Sequence, residues 1–359
     1  MEEKNTELTM LDLMQQAAFR AEKGIITHVN PAAAQYWIQP GTAVESLLST
    51  GREEYAEFTQ GCLYVSLQLQ GQTLGATVAK IQDAEIFVLE QISHSQQLQA
   101  LALAAVELRG PLSGMIAAGD LLMPELSKNA SAELREYAAQ LNRRTMQMQR
   151  IVCNMSDCCF YAQSGSEQHE LIDIVSLLEE LLSRAAHALQ AAGMHLTYQL
   201  PAERIFTLAN SAHLERAVYN LISNAAKFSP AGAEISVQLV RKGERLALSV
   251  TDPGCGIQQK GDVFTRYQRQ PGLEDSRNGI GLGMVMIRSA AAAHGGAVLI
   301  DAPDGQGTRV TMTLAIRQRK DTTVRSPMLR IDYAGERDHC LLELSDVLPV
   351  KLYEVEPNS

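Results

Sequence analysis

Residues 220–230 read Asn220-Leu-Ile-Ser-Asn-Ala-Ala-Lys-Phe-Ser-Pro230, with two asparagines and a lysine at intervals of four and three residues. The apolar pattern around them predicts a helix over residues 212–228. In such a helix Asn220, Asn224 and Lys227 project from one face, beside an apolar stripe that would be buried. Taken alone, this pattern is typical of the solvated side of an ordinary helix.

Two glycine-containing segments follow this helix. The first, Thr251-Asp-Pro-Gly-Cys-Gly-Ile257, comes directly after a predicted strand. The carboxylate of Asp252 can accept a hydrogen bond from the exocyclic amine of adenine, and the glycines let the backbone approach the ring. The second, Gly279-Ile-Gly-Leu-Gly-Met284, opens a predicted helix, where amide N–H groups can point at phosphate oxygens. It is not a dinucleotide fingerprint, because no parallel strand of a βαβ unit precedes it.

Taken in order, these segments resemble the nucleotide-binding boxes of histidine kinases and their GHKL relatives. The matching segments are residues 220–230 (N box), Asp252–Ile257 (G1 box), Val263–Arg269 (F box) and Gly279–Met284 (G2 box), followed by His294–Gly296 and Gly305–Thr308. Their order and spacing agree from residue 220 to residue 308. The resemblance implies an α/β-sandwich ATP-binding domain of the Bergerat type.

The resemblance also implies the ligands, ATP and Mg²⁺, and the residues that hold them. Asn224 would be the magnesium ligand, and Asn220 would support the same end of the site. Lys227 and Arg269 would neutralise phosphate charge, and Asp252 would fix the base. The complete predicted ATP-binding set is Asn220, Asn224, Lys227, Phe228, Asp252, Gly254, Gly256, Arg269, Gly279, Gly281, Leu282, Gly283, Met284 and Thr308.

Some positions add detail to this resemblance or depart from it. Phe228 stands where the family has an aromatic residue flanking the adenine, and residues 258–278 would form the mobile lid. Pro253 replaces the usual asparagine of the G1 box, which removes a backbone donor and a side-chain amide. Ile280 replaces a small or hydroxyl residue of the G2 box. Both changes are expected to weaken nucleotide binding without removing the aspartate or the glycines.

A further segment, Ala104-Ala-Val-Glu-Leu-Arg-Gly-Pro-Leu-Ser113, resembles the H box of the dimerisation and phosphoacceptor domain. Val106 occupies the position of the phosphoacceptor histidine, and Gly110 that of a threonine or asparagine used for dephosphorylation. Valine has no lone pair for phosphoryl transfer, so the expected general base, Glu107, would be vestigial. Val106 is explained either by an engineered change in a working kinase or by a natural pseudokinase. Gly110 favours the natural pseudokinase, because both functional positions are then altered. Substitute acceptors also remain open, namely His94, His169 and His187.

Apolar residues around the H box recur at alternating spacings of three and four, which predicts two long helices joined as an antiparallel hairpin. The two seams are Leu98, Leu101, Ala105, Leu108, Leu112, Met115, Gly119 and Leu122, then Leu134, Ala138, Leu141, Thr145, Met148, Val152, Met155 and Cys159. Pro124 and the polar run Ser127–Ser131 are expected to end the first helix. One hairpin cannot cover both seams, which favours a four-helix bundle of two chains. The alternative is packing against another domain of the same chain.

The N-terminal residues predict a small α+β domain. The phrase Gly24-Ile-Ile-Thr-His-Val-Asn-Pro-Ala-Ala-Ala34 resembles the opening of a PAS domain, and Leu8–Arg20 is expected to be a helix. Strands with alternating apolar residues are predicted at Leu63–Leu69, Thr73–Ile81 and Glu85–Gln91.

The chain therefore divides into four predicted segments and is classed as multidomain α+β. They are a PAS-like sensor domain (1–92), a dimerisation hairpin (93–165), an ATP-binding domain (166–318) and a C-terminal extension (319–359). The extension is expected to form a β-hairpin, with strand-like runs at Met328–Tyr333, Cys340–Leu344 and Val350–Val355.

Composition limits the location and partners. Of the 359 residues, 46% are hydrophobic and 20% charged, and the formal net charge is −10, which disfavours nucleic acid as a partner. The sequence shows no uninterrupted apolar run near the ~20 residues that a membrane helix needs. A cytoplasmic protein without membrane insertion is the resulting expectation.

The first hypothesis is a two-component signalling protein that binds ATP and Mg²⁺, dimerises through residues 93–165 and contacts a response regulator or a partner kinase. It would be unable to phosphorylate itself at the usual position, so enzyme activity is left open. The alternatives are an active kinase or ATPase with another acceptor residue, and a dimeric scaffold that binds no nucleotide.

Overall fold

The computed structural model of this protein describes residues 11–81, 83–89, 92–129, 131–163, 169–254, 256, 282–302, 306–317 and 337–354. Several predictions lie outside these residues and keep that status. They are Arg269, Gly279 and Gly281 of the ATP set, Ile280, the F box, the lid at 258–278 and the strand at Met328–Tyr333.

The N-terminal part is an antiparallel sheet with short helices. Its elements are β1 (Ala18–Glu22), β2 (Ile25–Val29), α1 (Pro31–Ala34), β3 (Leu48–Thr50), α2 (Arg52–Glu57), β4 (Cys62–Leu69), β5 (Gln72–Ile81) and β6 (Ala84–Leu89). The strand order is β2-β1-β6-β5-β4, and β3 pairs with β4. Asn30 is the N-cap of α1, and its side chain accepts a hydrogen bond from the Ala33 amide at 2.9 Å. The same side chain also accepts a hydrogen bond from the Ala18 amide at 3.0 Å. The Asn-Pro phrase thus links the helix to the sheet, while the PAS assignment stays a prediction.

The predicted helix at Leu8–Arg20 is wrong where it reaches β1. Ala18, Phe19 and Ala21 are fully buried in a strand that pairs with both β2 and β6. Phe19 stacks on Phe87 with ring centroids 4.5 Å apart. Hydrogen bonds to two neighbouring strands and this burial outweigh the weak local preference for helix.

Two long helices follow, α3 (Ile92–Asn129) and α4 (Ala132–Gln163). Pro124 lies inside α3 and does not end it; the helix ends in the polar run that follows. A proline removes one helical N–H, a loss that the long helix tolerates at this exposed stretch. Ala105 and Leu112 of α3 pack with Val152 and Met155 of α4.

Thr145 of the second seam is buried, whereas six other seam residues are exposed in the single chain. These residues have 42–59% of their surface accessible; they are Leu108, Met115, Leu122, Leu134, Leu141 and Met148. An uncovered apolar stripe of this length is what a second copy could bury. The dimeric bundle remains a prediction.

The expectation of a cytoplasmic protein without a membrane segment is contradicted by α3. Gln99–Pro124 spans 26 residues, is apolar enough on average to cross a membrane, and is only 17% buried. Polar residues are scattered through this stretch, so it contains no uninterrupted apolar run, yet length and mean composition qualify it. The described part of the chain therefore holds one helix that meets the criteria for a membrane span.

The C-terminal half is a sheet covered by helices. Its elements are β7 (Glu170–Asp173), α5 (Ile174–Ala191), β8 (His195–Gln199), β9 (Phe206–Ala209), α6 (Ser211–Phe228), β10 (Glu234–Lys242), β11 (Arg245–Asp252), α7 (Leu282–Ala293), β12 (Val298–Asp301) and β13 (Thr308–Ala315). The strand order is β12-β13-β11-β10-β8, and β7 pairs with β9 in a separate small sheet. Alternate residues of β10 and β11 are buried beneath the helices, as the period-two pattern predicts.

The C-terminal extension differs from its prediction. Its described residues form α8 (His339–Glu343) and a 3₁₀ turn at Val350–Tyr353, where strands were expected. The carboxyl of Asp338 begins α8 by accepting from the Leu341 amide at 3.0 Å. Leu344 and Leu348, four residues apart, are both fully buried in the core of the C-terminal half. Helical spacing lets both side chains reach that core.

Candidate nucleotide site

The helix that carries the N box is held at its start by two side chains. Asn210 begins α6 by accepting from the His213 amide at 3.1 Å. His294 accepts from the Asn210 amide at 3.0 Å through Nε2, while its Nδ1 lies 2.7 Å from the Ala290 carbonyl oxygen. Burial lowers the pKa of His294 to about 4, so the ring is neutral at pH 7 and can accept at Nε2. The His-Gly-Gly segment thereby links the end of α7 to α6.

The three polar side chains of the N box lie on one face of α6, as predicted. Asn220 is buried, Asn224 half-buried, and Lys227 largely covered, with 13% of its side chain exposed. The amide of Asn220 already has two contacts within the chain. Its Nδ2 donates to the Arg216 carbonyl at 2.8 Å, and its Oδ1 accepts from Arg150 at 3.4 Å.

Asp252 ends β11 next to the C-terminal end of α6. Its Oδ1 accepts from the Gly254 amide at 2.9 Å, and burial raises the pKa of its carboxyl to about 6. A Cβ at Gly254 would lie 2.5 Å from that same oxygen and 2.5 Å from the Phe228 carbonyl. The structure therefore brings Asp252, Gly254 and Phe228 together.

Two further glycines, Gly307 and Gly283, lie close to Asp252 and Asn220. Gly307 has a φ of +68°, and a Cβ there would lie 2.1 Å from the Asp252 carbonyl. Thr308 pairs with Asp252 across β13 and β11. A Cβ at Gly283 would lie 2.8 Å from Asn220 Oδ1, so the segment around Leu282 and Met284 begins against the N box. Only glycine allows the approach of Gly307 to the backbone of Asp252.

A family comparison matches this set of elements. Residues 209–318 fit the family model described as histidine kinase-, DNA gyrase B-, and HSP90-like ATPase. Residues 209–318 form an ATPase domain of this family. The match contains both the N box and the G1 box and ends just after β13.

The relatives of the chain are sensor histidine kinases. The alginate biosynthesis sensor protein KinB of Pseudomonas aeruginosa is 29% identical over 260 residues, 71% of this chain and 42% of that protein. The histidine protein kinase DivJ of Caulobacter vibrioides is 28% identical over 222 residues, 60% of this chain and 37% of that protein. The chain spans about half the length of the curated relatives it matches.

Solved structures similar to part of the chain include the crystal structure of full-length ShkA in complex with AMPPNP. It has a TM-score of 0.48 and 22% sequence identity, and the similarity covers 62% of this chain and 46% of that one.

The described residues offer few protein ligands to a metal ion. No group of three or more His, Cys, Asp or Glu side chains among them is arranged to hold a metal. A Mg²⁺ ion would therefore depend on Asn224, phosphate oxygens and water, which is how this ion is commonly bound. Gly254 and Gly307 lie against Phe228 and Asp252 of the chain itself, and Asp252 is buried beside them.

The contacts that Lys227 makes outside the ATPase domain were not predicted. Lys227 Nζ donates to Asp346 Oδ2 at 2.6 Å, and Arg150 Nη1 donates to the same oxygen at 2.7 Å. Arg150 also lies 3.3 Å from Glu343 and donates to Ser223 at 3.2 Å. Lys227 and Asp346 are 119 residues apart, and no spacing pattern in the sequence relates them.

The predicted acceptor position of the H box lies on the exposed side of α3. Val106 has 56% of its surface accessible, and Glu107 is exposed as well. Its neighbour Ala105 is buried in one cluster with Leu282 and Met286 of α7. The helix of the predicted acceptor position thus shares a hydrophobic cluster with α7, to which α4 also contributes.

Proposed function

We propose that this chain is a sensor histidine kinase-like protein of two-component signalling that binds ATP with Mg²⁺ and does not phosphorylate itself at the usual position. The observation that carries the proposal is the arrangement of Asp252 and Gly254 against Phe228 at the end of α6. It brings the residue proposed for the base next to the residue proposed to flank it.

The ATP part of the proposal rests on the ATPase domain. Lys227 supplies a positive charge for phosphates, and Asn224 supplies an amide oxygen for Mg²⁺. Asp252 would accept from the exocyclic amine of the base in its ionised form. The bound ion would offset phosphate charge, while the chain itself binds and orients the nucleotide.

The signalling part rests on Val106 and on the relatives. An exposed valine at the acceptor position offers no atom that could accept a phosphoryl group. The exposed stripe of α3 and α4 supports a homodimer, and the sensor histidine kinase relatives support a response regulator as partner. We propose that the nucleotide state changes how the ATPase domain contacts α3, since Leu282 and Ala105 share a cluster.

Calorimetric titration of the purified protein with ATP and Mg²⁺ tests nucleotide binding. Micromolar affinity that Asn224→Ala and Asp252→Asn each weaken supports the proposal. Undetectable binding by a folded wild-type chain would favour the scaffold hypothesis.

Incubation with γ-labelled ATP and candidate response regulators tests phosphoryl transfer. An acid-labile label on the wild-type chain would favour an active kinase.

A further inference from the structure

We propose that the C-terminal segment, residues 337–354, competes with the phosphates of ATP for Lys227 through the carboxyl of Asp346. The inference rests on the ATP binding proposed above and goes beyond it. It identifies an anion-binding position, formed by Lys227 and Arg150, that the protein fills with its own side chain.

The position is part of a continuous chain of ion pairs. In spatial order its members are Lys227, Asp346, Arg150, Glu343, Arg216 and Asp157. Positive members come from α4 and α6, and two of the negative members come from the C-terminal segment. Each cation thus lies between carboxylates or beside one, and the segment joins α4 to the N-box helix.

The carboxyl of Asp346 is held as an anion by its neighbours. Burial would raise its pKa, but Arg150 and Lys227 outweigh that effect and hold the pKa below the usual value. Arg150 and Glu343 are almost fully buried, whereas Asp346 keeps 33% of its side chain exposed. Asp346 is therefore the most exposed of the six ion-paired residues.

Hydrogen bonds and apolar burial that do not involve the Asp346 carboxyl hold the rest of the segment in place. The carbonyl of Ser345 accepts from Arg143 at 2.9 Å and from Gln147 at 3.0 Å. The Tyr353 hydroxyl donates to the Leu341 carbonyl at 2.8 Å, and Leu348 is fully buried. Replacement of the Asp346 carboxyl should leave the segment in place. The charge of Asp346 can therefore be tested without unfolding the segment.

A carboxylate on Lys227 opposes phosphate binding in two ways. It occupies the ammonium that the N box offers to a phosphate, and it places a negative charge beside the incoming triphosphate. In the open state, Asp346 does not contact Lys227. A ligand that binds only this state has an apparent affinity equal to its intrinsic affinity multiplied by the fraction of protein in the open state. Adenosine has no phosphate and avoids both effects.

The test compares Asp346→Asn with wild type by calorimetric titration of the full chain, using ATP with Mg²⁺ and, separately, adenosine. Asp338→Asn is the matched control. It removes one carboxylate of the same segment, keeps an oxygen that can begin α8, and lies on Arg184 rather than Lys227. The unfolding midpoint of each variant is measured without nucleotide.

We expect Asp346→Asn to tighten ATP binding by about tenfold, the change for a site that is open in about one molecule in ten. Adenosine affinity should stay within about twofold, and Asp338→Asn should bind both ligands as wild type does. The unfolding midpoint of Asp346→Asn should fall, because Arg150 and Lys227 lose their shared anion.

Three results overturn the inference alone: equal ATP affinity of wild type and Asp346→Asn, an equal gain for adenosine, or an unchanged unfolding midpoint. The second would mean a general opening of the site rather than competition with phosphates. If no folded variant binds ATP or adenosine, the proposed ATP binding fails and the inference falls with it.

Discussion

Leu63 on β4 lies opposite Leu299 on β12, in an antiparallel pairing that joins the N-terminal sheet to the sheet of the ATPase domain. Tyr64 pairs with Val298 beside them, and the guanidinium of Arg288 lies 4.4 Å above the Tyr64 ring. The two sheets form one path of hydrogen-bonded strands among the described residues. A change in the predicted sensor domain would therefore reach β12 through backbone hydrogen bonds and α7 through the contact of Tyr64 with Arg288.

The substitution Gly61→Ala should separate these two strands. Gly61 has a φ of +86°, and a Cβ there would lie 2.3 Å from the Ile300 carbonyl oxygen. The left-handed backbone and the collision with another strand's backbone together should lower the free energy of unfolding by about 2–4 kcal/mol. Urea denaturation measures the loss, and hydrogen exchange of β12 reports whether the pairing opens.

Gly71→Ala provides the matched control for that experiment. Gly71 has a similar φ of +77°, but a Cβ there would meet nothing within 4 Å. We expect a loss of only about 1 kcal/mol, due to the backbone conformation alone. Equal losses for the two variants would show that the contact of Gly61 with Ile300 does not contribute.

The substitution Asp252→Asn should raise the free energy of unfolding, and this increase should become larger as the pH rises. The folded protein raises the pKa of Asp252 from 3.8 to about 6, so its contribution to stability is full below about pH 3.8 and is lost as the pH rises through 6. Asparagine carries no charge in this buried position, so at pH 8 the variant should be more stable by on the order of 1–3 kcal/mol. Urea denaturation at pH 5 and pH 8 measures the difference, and a gain that does not change between these two pH values contradicts the prediction.

The same carboxyl should make nucleotide affinity depend on pH. Below about pH 6 a protonated Asp252 accepts less well from the adenine amine, so wild-type ATP affinity should fall between pH 7 and pH 5. Calorimetric titration of wild type and Asp252→Asn over this range separates the effect of Asp252 from titration of the phosphates. Identical pH profiles would exclude Asp252 as the cause.

Val106→His should restore an acceptor. Val106 is exposed, so the substitution should change the free energy of unfolding by less than about 0.5 kcal/mol. Incubation with γ-labelled ATP and Mg²⁺ should then give an acid-labile label that is absent from wild type and from the control Val106→Ala. An unlabelled Val106→His chain that binds ATP would contradict the view that the missing histidine is what prevents transfer.

Leu141→Glu should dissociate the predicted dimer. Leu141 belongs to the exposed stripe, with 54% of its surface accessible, and a charge there would be buried at the bundle interface. Sedimentation velocity should show a shift from dimer to monomer. Gln140→Glu adds the same charge at an exposed neighbouring position and should leave the dimer intact. A wild-type monomer at all concentrations would rule out the bundle.

Much of the ATPase domain was predictable because its signals are local. The helix ending at Phe228 follows from apolar periodicity, and its observed bounds, Ser211–Phe228, differ from the predicted 212–228 by one residue. Elsewhere, periodicity failed where distant contacts decide the outcome. Ala18–Glu22 is a strand because β2 and β6 flank it, and His339–Glu343 is a helix because its apolar side chains meet a core formed far away in the sequence.

The amino-acid sequence by itself determined the nucleotide boxes, their order and the valine at the acceptor position, because each depends on residues a few positions apart. Only the tertiary structure decided that Asp346 binds Lys227, that β4 extends the ATPase sheet through β12, and that the glycines press on Asn220 and Asp252. Charges and strand edges separated by more than a hundred residues meet through packing of the whole chain, and no local pattern encodes which of the possible partners they find.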